Sequence, residues 1–171
     1  MEKAIVEGII YTRKGSKKFI YNKSIGWFRE VIAKGAIERA MSKPMRRYLT
    51  ISHGRLIASD DELEIWEISE GIAFKASIRE PEVIAMIIQK GLNESSFSFV
   101  VKEQRVRKKS VDVEFLQGKT YSIRTIRELD LNEISLTEGP SAYPSEFKIT
   151  YIPDSMMLDV NKARLELLRG E

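Results

Sequence analysis

A chain of 171 residues, 43% hydrophobic and 31% charged, fits one soluble globular domain large enough to bury a core without covalent staples. Its 28 Lys and Arg against 25 Asp and Glu leave a net charge of +3, and the signs are too interspersed to single out nucleic acid as a partner. Zero Cys excludes disulfides, thiol catalysis and cysteine metal sites, and a single His leaves His53 as the one imidazole open to any mechanism.

Taken in order, Met1-Glu2-Lys3-Ala4 does not read as a secretory signal, and no apolar run is long enough to span a bilayer. Ala4 to Tyr11 reads as a strand with Gly8 as a bulge point, and Phe19-Ile20-Tyr21 as a second short strand. From Trp27 to Met41 the spacing of Phe28, Val31, Ile32, Ile37 and Ala40 predicts helix. It is broken at Lys34-Gly35 and resumes as a short helix from Ala36 to Ser42, ahead of Pro44. Tyr48 to Ser52 is strand-like and delivers His53. Glu62 to Ile68 and Ile72 to Ile78 alternate polar and apolar residues around Ser69-Glu70-Gly71, which predicts a hairpin. Pro81, between Glu80 and Glu82, opens an apolar helix that Gly91 closes.

Gly91 to Val101 leads into a buried strand, and Lys102 to Ser110 is a basic, exposed arm. Val111 to Leu116, a turn at Gln117-Gly118, and Tyr121 to Ile126 continue as strands, followed by another from Leu129 to Thr137. Gly139 to Pro144 is a shaped loop, Phe147 to Ile152 a last strand, and Leu158 to Leu168 a helix with Leu158, Ala163, Leu165 and Leu168 on its apolar stripe. Neither a repeat nor a linker divides the chain, so residues 1–171 read as a single domain. Its class is α+β: a mostly antiparallel β-barrel surrounded by a few helices.

Three hydroxyls stand at the mouth of the strand after Gly91. Alternation puts Ser95 with Phe97, Phe99 and Val101 on one face, and Ser96 and Ser98 with Val100 on the other. A serine becomes a useful nucleophile only beside a base that a third group orients. His53 can be that base, since imidazole titrates near neutrality, or an ordinary residue at the solvent edge. Asp130, Glu133 and Glu138 are the candidate orienting carboxylates. Alternation from Leu129 sets Glu133 beside Leu131 and Ser135 on an otherwise apolar face, costly unless it is paired, while Asp130 and Asn132 read as outward. The arm from Arg105 to Lys109 lacks the interleaved aromatics of a single-strand platform and reads as solvated. No phosphate loop, acidic metal cluster or dinucleotide fingerprint is present, so neither cofactor nor metal is expected.

Four stretches together resemble one family. Val31-Ile32-Ala33-Lys34-Gly35-Ala36-Ile37 is similar to an early Val-Ile-Ala-Pro-Gly-Ala-Phe segment. Leu49-Thr50-Ile51-Ser52-His53 resembles a strand ending in a catalytic His, and Lys90-Gly91 through Ser96-Phe97-Ser98-Phe99 resembles Arg-Gly followed by Met-Ser-Phe-Gly-Phe. Leu131-Asn132-Glu133-Ile134-Ser135 with Pro140 to Pro144 is similar to Leu-x-Glu-Val-Ser followed by Pro-Ala-Tyr-Pro. These are the motifs of the tailed-bacteriophage prohead (capsid maturation) proteases, serine peptidases with a herpesvirus-assemblin-like fold. The resemblance is strongest over residues 5–144 and leaves 155–171 as a C-terminal helix or tail.

It implies a serine endopeptidase with Ser96 as nucleophile, His53 as base and Glu133 as third member. Scaffold and capsid precursors would be cleaved inside the procapsid, in the host cytoplasm. Self-cleavage and homo-oligomerisation are open to such a protein; a membrane or nucleic-acid partner is not expected. The alternative is a catalytically inactive capsid-assembly or scaffold module on the same fold. Ser95 for an apolar residue, Ser98 for Gly and an inserted Ser141 depart from the family pattern.

Overall fold

The computed structural model describes residues 2–109 and 120–170. Four strands, β1 (Ala4–Ile10), β6 (Leu63–Ile68), β7 (Gly71–Ile78) and β10 (Ser145–Tyr151), form an antiparallel sheet in the order β10-β1-β7-β6. The second sheet holds β2 (Ile20–Asn22), β3 (Gly26–Ile32), β4 (Tyr48–Ile51), β5 (Arg55–Ser59), β8 (Glu94–Lys109) and β9 (Tyr121–Thr137). Three helices complete the described fold: α1 (Ala36–Met41), α2 (Pro81–Gln89) and α3 (Asp154–Arg169). The α+β class stands. Among the described residues, however, the ladders do not close into a barrel, and parallel pairing of β9 with β3 and β4 makes the second sheet mixed.

β9 organises that sheet. Along one edge it pairs in parallel first with β3 and then with β4; along the other it pairs with β8 over its whole length. The core lies against the apolar sheet faces, with Leu129, Leu131, Ile134 and Leu136 of β9 fully buried beside Leu49 of β4 and Phe74 of β7. Burying Val83, Ile84 and Ile87 of α2 against this cluster contributes about 1.5–3 kcal/mol per side chain.

The segment expected to be helical from Trp27 is strand β3. Phe28, Glu30 and Ile32 are buried in alternation. Because one inward position is filled by a carboxylate, the apolar residues alone mimic helical spacing. Gly8 marks no bulge. On β1 it sits between Phe74 and Phe147, where an added Cβ would come within 2.5 Å of one ring and 2.7 Å of the other side chain. α1 is short, and Glu67 of β6 steadies its N-terminus by accepting the Gly35 and Glu38 N–H groups at 2.7 and 2.9 Å.

The C-terminal helix is present, but its inward stripe is Met156, Val160 and Ala163, with Leu167 partly buried; Leu158, Leu165 and Leu168 are exposed. Strand β5 has no counterpart among the predicted elements. The basic arm is the outer half of β8, exposed from Lys102 to Lys109. The expected strand Val111 to Leu116 and the Gln117-Gly118 turn lie outside the described residues.

Candidate active site

The site is built on the β4-β9-β8 part of the mixed sheet. Ser96 of β8 lies opposite Ser135 of β9, which in turn lies beside Thr50 of β4; Ser98 lies opposite Glu133, and Glu133 beside Tyr48. Paired residues share a face, so Ser96, Ser98, Glu133, Ser135 and Thr50 form one polar surface. On the reverse, Ser95, Phe97, Ile134, Leu136, Leu49 and Ile51 are all buried.

This arrangement corrects the facing expected for Glu133. Phe99 pairs with Leu131 but Ser98 with Glu133, leaving Asn132 as an extra residue in β9. The bulge inverts the alternation, so Leu131 and Ile134 both face the core and Glu133 turns away from it. Glu133 therefore shares no face with Leu129 and Leu131. Its side chain is 18% exposed, and it has polar partners.

One of those partners is His53. The turn from β4 into β5 holds Ser52 at φ 50° and His53 at φ 54°, with the Gly54 N–H donating to the Ile51 carbonyl at 3.0 Å. Left-handed backbone is uncommon for residues with a Cβ, and such strain concentrates where a side chain must be aimed. Two contacts with β9 anchor the turn: Ser52 N–H donates to the Leu136 carbonyl at 2.9 Å and His53 N–H to Ser135 Oγ at 2.8 Å. The imidazole then folds over the polar face, and its Nδ1 bonds Glu133 Oε1. An ionised carboxylate oxygen offers only lone pairs, so Nδ1 is the donor in this bond, and in the neutral imidazole that leaves the Nε2 lone pair free. Thr50 donates to the other Glu133 oxygen at 3.4 Å.

The structure thus brings His53 to Glu133 and sets Ser96 on the same face, two residues along the ladder from Ser98. No hydrogen bond joins Ser96 to His53 among the described residues. Of the other carboxylates considered, Asp130 is engaged by Lys43 at 2.7 Å and Lys102 at 3.0 Å, and Glu138 makes no bond to His53. Two supporting residues were not singled out from sequence: buried Ser135, which fixes the His53 backbone, and Thr50. Only Ser135 was signalled by period-two spacing, two residues after Glu133; Thr50 joins the site through the β4–β9 pairing, which is non-local.

The loop after β9 is anchored at Tyr143. Its ring packs 5.4 Å from Phe97, centroid to centroid, and its hydroxyl donates to Glu30 Oε1 at 2.9 Å. Arg124 donates to the other Glu30 oxygen at 3.0 Å. Burial pushes the Glu30 carboxyl above its ordinary value, against the opposing pull of Tyr143 and Arg124. The Tyr143 phenol is raised by burial and by the Glu30 charge.

With His53 nearly half exposed (45%), the site is an accessible surface. A cavity of about 790 Å³ beside Arg13, Met41 and Trp66 is lined by none of Ser96, His53 and Glu133. Among the described residues, no group of three or more His, Asp or Glu side chains converges as metal ligands do.

A family model described as caudovirus prohead serine protease matches residues 17–153, a span that includes His53, Ser96 and Glu133. No curated protein matches the chain.

Proposed function

The chain belongs to the caudovirus prohead serine protease family, and we propose that it is an endopeptidase in which Ser96 is the nucleophile, His53 the general base and Glu133 the orienting carboxylate. Family membership supports the capsid-maturation role. The assignment of residues rests on one observation: the bulge at Asn132 and the left-handed turn at His53 aim Glu133 and the imidazole at each other on the face that carries Ser96.

In this reading the free lone pair on His53 Nε2 takes the Ser96 proton as Oγ bonds to the scissile carbonyl carbon. Glu133 stabilises the resulting imidazolium through Nδ1. Collapse of the tetrahedral intermediate breaks the C–N bond, and the same proton passes from Nε2 to the leaving amine. Water, deprotonated by His53, then releases the acyl group and restores Ser96. Main-chain N–H groups of the Glu138-Gly139 segment, immediately past the last β8–β9 pair at Glu94 and Thr137, are proposed to stabilise the oxyanion. Substrates in this proposal are scaffold and capsid precursors, cleaved inside the procapsid in the host cytoplasm. An open sheet surface suits an extended polypeptide.

One observation favours a second reading: Ser96 and His53 share no hydrogen bond. An inactive capsid-assembly module on the same scaffold would look this way, although catalytic contacts also tighten on substrate binding. Hydrolysis of a procapsid-derived polypeptide separates the two. The protease reading expects turnover by the parent and a fall of about 10⁴- to 10⁶-fold in both Ser96→Ala and His53→Ala. Turnover by Ser96→Ala at the parent rate excludes it, and a folded parent that cleaves nothing favours the module.

A further inference from the structure

Glu94 stands two residues before Ser96, at the last pair of the β8–β9 ladder, and its carboxylate does not face solvent unpartnered. Glu94 Oε2 accepts the Ser141 N–H at 2.8 Å and lies 2.8 Å from Ser141 Oγ, while Lys17 Nζ approaches both carboxylate oxygens at 3.3 Å. Ser141 Oγ is also 2.7 Å from the Tyr143 carbonyl and 3.2 Å from Ser145 Oγ, so two acceptors compete for its one proton. Ser145 Oγ accepts the Ser95 N–H at 2.8 Å, closing the circuit back onto β8 beside the nucleophile position. Thr137 adds a bond to the Glu94 carbonyl at 3.4 Å.

We infer that Glu94 is a positioning residue: it ties the Glu138–Ser141 loop to the strand that carries Ser96 and so sets the loop's main-chain N–H groups relative to the reacting carbonyl. The inference rests on the proposed roles of Ser96 and of that loop. Three features of the geometry support it. The loop's far end is held independently, by Lys17 N–H on the Ala142 carbonyl at 2.9 Å, Lys18 Nζ on the Pro140 carbonyl at 3.0 Å and the buried Tyr143–Glu30 bond. Its near end, Glu138 and Gly139, has the left-handed Gly139 (φ 83°) with open space around it, so side-chain packing does not fix that glycine. The Glu94–Ser141 bonds join the near end to β8 at Glu94 itself, whereas the Phe97–Tyr143 ring contact and the Ser95–Ser145 bond hold the far end. Burial works against the charge on Glu94, but Ser141 and Lys17 more than offset it and hold the carboxyl below its ordinary range. The carboxylate therefore remains an acceptor at neutral pH. Ser141, an insertion relative to the family pattern, acquires a role as the residue that Glu94 grips.

Phosphonylation by a fluorophosphonate probe tests this, because the serine attack builds negative charge on the phosphoryl oxygen much as acyl transfer does on a carbonyl. The maximal inactivation rate and the probe's half-saturation concentration are measured for the parent, Glu94→Ala, Glu94→Gln and Ser96→Ala, each normalised to folded protein by circular dichroism. Misplaced oxyanion donors should lower the maximal rate of Glu94→Ala by about 100-fold, with half-saturation within about threefold of the parent. Glu94→Gln should recover to within about tenfold of the parent, since its amide oxygen can still accept the Ser141 N–H. A parent-like maximal rate in Glu94→Ala, with labelling confined to Ser96, overturns the inference alone. A loss confined to half-saturation, or to the folded fraction, also overturns it. Labelling that persists in Ser96→Ala overturns the nucleophile assignment and the inference with it.

Discussion

At the scale of single residues, three neighbouring serines divide between two environments. Ser95 is fully buried, and its hydroxyl has no hydrogen-bond partner. An unsatisfied buried hydroxyl is a cost, so Ser95→Ala should range from neutral to about 1 kcal/mol more stable, with activity retained; chemical denaturation and turnover check both. Ser96 and Ser98 share the polar face, opposite Ser135 and Glu133 respectively. Replacing each in turn separates them: Ser96→Ala should abolish turnover of a procapsid-derived substrate, and Ser98→Ala should stay within about tenfold of the parent. The reverse outcome would move the nucleophile to Ser98. Strand alternation in the sequence was enough to reduce three serines to these two. It could not choose between them, because both point the same way.

At the scale of elements, a bulge and a turn do what regular strands cannot. Counting by twos from Leu129 puts Glu133 on the core face; the unpaired Asn132 reverses that, and nothing in the residue types announces a bulge. Deleting Asn132 should leave Leu131 and Ile134 facing the core, because alternation then runs regularly. The carboxylate would nevertheless lose its aim, and turnover should fall about 100-fold in a protein that still folds. Circular dichroism with kinetics distinguishes that result from simple unfolding. The β4–β5 turn was equally illegible: neither Ser52 nor His53 is the Gly, Asn or Asp that announces a left-handed turn in sequence. Ser52→Gly should relieve strain and stabilise the protein by up to about 1 kcal/mol without moving His53, measurable as a raised denaturation midpoint at unchanged turnover.

At the scale of the whole molecule, the hairpin β6–β7, helix α2 and the terminal strands could be read because local pattern and burial agree. Strand β3 could not, since its inward positions include Glu30, buried with Arg124 and Tyr143 from distant parts of the chain. The parallel pairings of β9 with β3 and β4 are likewise non-local, which is why a mostly antiparallel barrel was expected and a mixed sheet found.

The same carboxylates give the fold its pH response. Glu67 and Glu94 lose some favour to burial but gain more from N–H donors and from Arg13 or Lys17, so both lie below the ordinary value of 4.5. A depressed folded-state pKa means stability that is present above the unfolded value and lost as pH falls through the folded one. Glu30, raised by burial, contributes in the opposite sense, its stability declining as pH rises through its elevated value. Glu70, bonded by Ser69, and Asp130, bonded by Lys43 and Lys102, are depressed as well. With four depressed carboxyls against one raised, the melting temperature should drop as the medium is acidified below about pH 4.5, and Glu67→Gln should show a shallower fall over that window.

The central claim is that Ser96, His53 and Glu133 act as one nucleophilic unit. Its most direct test is peptide mapping by mass spectrometry after the protein reacts with a fluorophosphonate. A single adduct on Ser96, lost in His53→Ala and strongly slowed in Glu133→Ala, is the expected result. An adduct on another residue, or Ser96 labelling at the parent rate without His53, would contradict it.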